Sequence, residues 1–155
     1  MKIVVSACLM GEECKYNGLD NYNRGLVEAI EKTGCEVVLV CPEVFGGLPV
    51  PREPAEIVDG VVRTRSGRPV DREFRMGAQR ALDICEQAGG PSEVALVVLQ
   101  DRSPSCGVGR IYDGTFAGQL VAGNGVFADL LLAHGYNVIP ASTFDPKLFI
   151  GDVNK

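Results

Sequence analysis

Six cysteines and one histidine are the residues of this 155-residue chain most suited to metal or nucleophilic chemistry. None of the cysteines shows the compact C-x-x-C spacing of zinc ribbons and ferredoxins. Cys8, Cys41 and Cys106 are far apart, but Cys8 and Cys41 each close an apolar run and Cys106 lies shortly after a third. Cys41 is followed by Pro42-Glu43, which sets a carboxylate two residues from a thiol, within reach of a general base's work at that site. Cys106 belongs to Ser103-Pro104-Ser105-Cys106-Gly107, a tight turn whose hydroxyls and amides can orient a small anion or carbonyl. The plain alternatives are a solvated loop carboxylate and serines that bond their own backbone. Three thiolates can hold zinc with a fourth position open to water, or a [4Fe–4S] cluster with one iron lacking a protein ligand. Spacing does not choose between them.

The other candidates divide. Cys14 lies in the loop after the first apolar run and can approach the same place as a further ligand or a reactive thiol. Cys35 precedes an apolar run and Cys85 falls on the apolar face of a helical pattern, so both read as small core residues. His134 falls in the last turn of a helical pattern, where imidazole suits the dipole. Without a second histidine, Cys–His or Ser–His catalysis is disfavoured. Gly123-Asn124-Gly125, ahead of a helix, is either an anion-facing run of amides or a plain loop.

The elements that must position these residues follow from hydrophobic periodicity. Residues 2–7, Glu36 to Val40 and Val94 to Leu99 read as buried parallel strands, and Val138-Ile139 starts another. Helical spacing runs from about Asn23 to Lys32 with Gly34 as C-cap, over 71–88, and from about Asn124 to His134. Residues 46–54 carry three prolines and read as an ordered extended loop. Asp59-Gly60 and Asp113-Gly114 mark two small hairpins, over 57–62 and 111–116. Strands alternating with helices predict a single three-layer α/β domain over 1–155, Rossmann-like, with a mostly parallel sheet and short inserted hairpins. In such sheets ligands bind beyond the carboxyl ends of the strands. Cys8, Cys41 and Cys106 are therefore expected at one edge of one sheet.

Composition bounds the partner. The formal net charge is −5 and no basic run exceeds a pair, which argues against a nucleic-acid backbone as the main partner, and a small molecule fits better. No stretch approaches the roughly 18–20 apolar residues of a membrane span, and Met1–Cys8 is too short for a signal peptide. The expectation is a cytoplasmic protein, whose thiols stay reduced and serve metal binding, catalysis or packing. Nothing in the sequence fixes an oligomeric state.

Four separated motifs carry a specific resemblance. Ser6-Ala7-Cys8-Leu9-Met10-Gly11 with Cys14, Tyr16 and Gly18 is the first, and Cys41-Pro42-Glu43 with Gly46-Gly47-Leu48-Pro49 and Pro51-Arg52 the second. Ser103-Pro104-Ser105-Cys106-Gly107 and Ile111-Tyr112-Asp113-Gly114-Thr115-Phe116 complete it. Together they resemble a bacterial family long labelled a domain of unknown function, which includes the thiouracil desulfidases; these convert 2-thiouracil to uracil and sulfide. The resemblance implies a [4Fe–4S] cluster held by Cys8, Cys41 and Cys106, whose open iron binds the substrate sulfur without net redox change. It implies Glu43 as the base that activates water, and Ser103 as the hydroxyl that holds the ring or stabilises developing charge. Many relatives carry a lysine shortly before the Ser-Pro-Ser-Cys motif, where this chain has Gln100-Asp101-Arg102. That departure bears on substrate choice, not on the cluster. The alternatives are a cluster-bearing sensor or sulfur carrier without turnover, and a zinc protein.

Overall fold

Val, Ile and Leu fill the strand-forming runs, and branched side chains pack well on a pleated surface covered on both faces. In the computed structural model, which describes residues 1–147, they form β1 (Lys2–Ser6), β2 (Glu36–Val40) and β5 (Val94–Leu99). With β8 (Val138–Pro140) these make one wholly parallel sheet in the order β2-β1-β5-β8. The end of the expected domain, residues 148–155, lies outside the described residues.

Alternation along the strands sends side chains to two different layers. Ile3, Val5 and Val98 meet Leu26, Ala29 and Ile30 of α1 (Arg24–Thr33). Val4, Val97 and Leu99 meet the other layer, α3 (Asp71–Gln87) and α4 (Val126–Ala133), through Ala81, Leu82, Phe127 and Leu131. The expected three-layer α/β arrangement is thus present. The Asn23 side chain caps α1 by accepting from the Leu26 amide at 3.1 Å, and Gly34 ends it in the left-handed region at φ 67°. Among the described residues no helix is long and apolar enough to cross a membrane.

Several boundaries differ from the sequence reading. The chain leaves β1 at Ser6 and turns through a single 3-10 turn, Ala7–Met10, in place of extending the strand. A four-residue helix, α2 (Pro42–Phe45), follows Cys41 directly, with proline at its first position, where its missing N–H costs nothing. α4 starts at Val126, two residues later than its periodicity suggested. The first hairpin, β3 (Ala55–Val58) with β4 (Val61–Thr64), turns at Asp59-Gly60 as expected, with φ of 48° and 81°. The second does not turn at Asp113-Gly114. β6 (Arg110–Tyr112) pairs with β7 (Leu120–Ala122), and residues 113–119 form a long loop between them.

α2 and α3 cross at glycines. A methyl group on Gly77 would overlap the Pro42 carbonyl oxygen, and one on Gly46 would overlap the Glu73 carbonyl oxygen. Because neither neighbour is a movable side chain, Gly77→Ala must push α2 away from α3. We expect a loss of about 2 kcal/mol or more, as for severe overpacking. Urea unfolding checks it, and an unchanged midpoint would contradict the crossing.

Candidate active site

Strand order reverses between β1 and β5, because β1 is followed by β2 on one side and later by β5 on the other. A crevice is expected at the carboxyl ends of these strands. A cavity of about 400 Å³ opens there, within the range of small-ligand sites. The strand ends are tied across it, since the Gln100 amide donates to Ser6 Oγ at 2.9 Å. Cys8, Cys14, Cys41 and Cys106 all line it.

Each thiol is delivered by a specific local device. Cys8 lies in the 3-10 turn, which closes at Gly11 with φ 99°, a left-handed conformation suited to glycine. Its Sγ lies 3.5 Å from the Asn21 side-chain amide nitrogen, which donates to it. Cys41 is the N-cap residue of α2, so its carbonyl accepts the Phe45 amide at 2.9 Å. Cys106 is fixed by its own turn: Ser103 Oγ accepts the Cys106 amide at 2.7 Å, and the Gly107 amide donates to the Ser103 carbonyl at 2.9 Å. The start of α4 is fastened to this turn as well. The Gly125, Val126 and Phe127 amides donate to the Gly107, Pro104 and Ser105 carbonyls at 2.8, 2.8 and 2.9 Å. The Gly123 amide likewise donates to the Gly109 carbonyl at 3.1 Å, which favours the plain-loop reading of Gly123-Asn124-Gly125. A side chain on Gly125 would strike the Ser105 carbonyl group and the Cys106 amide.

The thiols differ electrostatically. Cys14 is in hydrogen-bonding contact with both the Cys41 and Cys8 thiols. That contact is the largest influence lowering Cys8, and it lowers Cys41 to about 7 with help from the Val44 amide and the Arg52 charge. The same contacts push Cys14 strongly upward. Burial pushes the Cys106 thiol up to about 12. Cys85 is fully buried and burial likewise raises it to about 12, as expected of a core thiol. Cys35 packs at the edge of the α1 layer. Neither lines the cavity, nor does His134, the C-cap residue of α4.

Glu43 is no solvated loop carboxylate. Its side chain is 16% exposed and its two oxygens are divided between two partners. Arg52 Nε donates to Oε1 at 3.0 Å, and the Ser105 hydroxyl donates to Oε2 at 2.7 Å. Arg52, 8% exposed, also donates to the carbonyls of Cys14 at 3.0 Å and Pro49 at 3.2 Å, and its amide donates to the Tyr16 carbonyl at 2.7 Å. One guanidinium thus binds the proline-rich loop, the Cys14 loop and Glu43 into a unit, using the rigid fork that lysine lacks. Ser103 lines the cavity too, but its oxygen holds the Cys106 amide. Ser105, with Oγ 3.3 Å from that of Ser103, is the serine that reaches Glu43. Sequence reading singled out neither Ser105 nor Arg52 for a role, although both stand inside the quoted motifs. Gln100, Asp101 and Arg102 also line the cavity, with the Asp101 carboxylate accepting the Ser142 amide at 3.0 Å.

The donor set bears on what can be held. Among the described residues no group of three or more His, Cys, Asp or Glu side chains is arranged to hold a single metal ion. A four-iron cluster is wider than one ion and takes its thiolates at separate corners. Cysteines delivered from three strand ends around a cavity fit such a cluster, and all six cysteines are free.

Comparison with known proteins agrees with this geometry. The model of the 2-thiouracil desulfurase family matches residues 3–142, a span that contains all of the candidate residues. A Bacillus subtilis (strain 168) protein, the uncharacterized protein YbbK, is 38% identical over 147 residues, covering 88% of this chain and 93% of its own. A solved structure of the [4Fe-4S]-dependent thiouracil desulfidase TudS (DUF523Vcz) superposes with a TM-score of 0.86 at 39% identity, covering 99% of each chain. Motifs, fold and sequence identity thus agree along almost the whole length, and the chain belongs to the 2-thiouracil desulfurase family.

Proposed function

We propose that this chain is a cytoplasmic, single-domain enzyme that removes sulfur from a thiolated pyrimidine of the 2-thiouracil kind. It does so at a [4Fe–4S] cluster held by Cys8, Cys41 and Cys106. The balance is hydrolytic: the C=S carbon gains oxygen from water, and sulfur leaves as hydrogen sulfide, with no net oxidation or reduction. The observation that carries this function is the Glu43–Ser105 pair, hydrogen-bonded at 2.7 Å on the wall of the cavity that the three cysteines line.

When bound, a cluster with only three cysteine ligands supplies an iron with an open position, a Lewis acid toward sulfur. The remaining work falls to the protein. Glu43 takes a proton from the attacking water, with Arg52 engaging Oε1 and the Ser105 hydroxyl engaging Oε2 on the cavity wall. Ser105 is placed to relay that proton or to donate to the oxygen that develops charge, because a hydroxyl both donates and accepts. Ser103 fixes the Cys106 amide and adds a second hydroxyl beside the first. The whole chain carries a formal net charge of −5, in keeping with a free small molecule and not nucleic acid as partner. The test is sulfide and uracil production from 2-thiouracil by anaerobically prepared, iron-loaded protein. Equimolar products are expected. Loaded protein that releases no sulfide from any thiopyrimidine, yet changes its spectrum with oxygen or sulfide, would favour the sensor or carrier instead.

A further inference from the structure

Glu56 is a charged residue of the buried interior, at 8% exposure, and the chemistry above leaves it unused. It stands on β3 and lines the same cavity as the cysteines. Its Oε1 accepts two backbone amides, from Gly114 at 3.0 Å and Phe116 at 3.1 Å, and so anchors the loop 113–119. Gly114, at φ 93°, lies against the Ile57 carbonyl, where a side chain would clash. Arg65 covers the Phe116 ring, 6.0 Å from its centroid. Glu56 is therefore held rigidly through one oxygen.

The other oxygen is different. Oε2 makes no hydrogen bond to any described residue. The only unpartnered side-chain polar atom sealed from solvent among those residues is the Tyr136 hydroxyl. Oε2 therefore touches solvent, and the solvent that Glu56 faces is the cavity. A carboxylate oxygen can only accept, so an immobilised, unpaired one selects for a ligand N–H or O–H.

We infer that Glu56 is a specificity-determining residue: Oε2 accepts a hydrogen bond from a ring N–H adjoining the C–S carbon of a thiolactam. Rings without a hydrogen there meet the carboxylate lone pair to lone pair and leave a buried acceptor unsatisfied. The inference rests on the desulfurase function proposed above and names the part of the substrate that this wall of the site reads.

Glu56→Gln separates recognition from architecture. Its amide oxygen can still accept the Gly114 and Phe116 amides, while its NH₂ presents a donor to the cavity in place of an acceptor. The KM for 2-thiouracil should rise about tenfold or more, with kcat changed much less, as for loss of one charge-assisted hydrogen bond. Calorimetry should show a matching loss of affinity for uracil, which has the same N–H groups. With 1,3-dimethyl-2-thiouracil, which has no ring N–H, wild type and variant should have the same KM. The extra bulk is common to both proteins, so the ratio isolates the hydrogen bond. The wild type alone supplies a second test, because the dimethyl compound should bind at least tenfold more weakly than 2-thiouracil. An active wild type that takes both compounds equally well, or a Glu56→Gln protein with unchanged KM and uracil affinity, overturns this inference alone. A wild type that releases no sulfide from any of these bases overturns the desulfurase function and this inference with it.

Discussion

Glu43→Gln should give protein that is brown and fully iron-loaded, yet slower in sulfide release by a factor of roughly 10²–10⁴. The substitution is nearly isosteric. The amide oxygen can still accept from Arg52 Nε, and the Ser105 hydroxyl can rotate to accept from the new NH₂ group. What disappears is the proton acceptor. The cysteines are untouched, so iron content and the visible spectrum should match wild type. Stability should fall by less than the roughly 3–5 kcal/mol of a fully broken buried ion pair, because Arg52 keeps the Pro49 and Cys14 carbonyls as acceptors. Steady-state sulfide release, paired with an iron assay on the same sample, checks the result. Full turnover with normal loading would remove Glu43 as the base.

The second large effect is loss of the cluster itself. Alanine at Cys8, Cys41 or Cys106 should abolish iron loading and colour, since each removes one of three protein ligands. The turn around Cys106 should survive, because the Ser103 hydroxyl and the start of α4 hold it through backbone groups. The apo variants should therefore stay folded by circular dichroism. Cys35→Ala and Cys85→Ala should keep the cluster and lose only a modest amount of stability, as expected for small buried groups. Cys14→Ala is the sharper comparison. Its thiol contacts Cys41 and Cys8 and lines the same cavity, but the resemblance gives the cluster only three cysteines, so it is expected to be a neighbour of the ligands, with iron retained on its removal. Iron analysis of the five single variants and Cys14→Ala distinguishes ligands from neighbours. A colourless Cys35→Ala or a brown Cys106→Ala would contradict the assignment.

The sequence made local structure legible where local chemistry decides it. Apolar runs, the Gly34 cap and the Asp59-Gly60 turn depend on residues within a few positions of each other, and all are present in the fold. The convergence of Cys8, Cys41 and Cys106 also followed, because parallel strands deliver what comes after them to one edge. α2 was missed because four residues are too few to display a helical period. Asp113-Gly114 resembled a two-residue hairpin turn, but Glu56, nearly sixty positions earlier, captures the amides that follow and opens the loop. The pairing of Glu43 with Ser105 spans 62 positions, and no periodicity announces it. Telling which of Ser103 and Ser105 reaches Glu43 inside Ser-Pro-Ser-Cys needed that long-range contact. The metal likewise was not legible from spacing, since three scattered cysteines suit zinc as well as iron and only the likeness to the desulfidase family selects the cluster.

The most direct test of the whole account is iron, zinc and acid-labile sulfide analysis of protein purified without oxygen, with its visible spectrum. The account predicts brown protein carrying about four irons and four sulfides per chain, bleached on exposure to air. Colourless protein with stoichiometric zinc under the same conditions would contradict it.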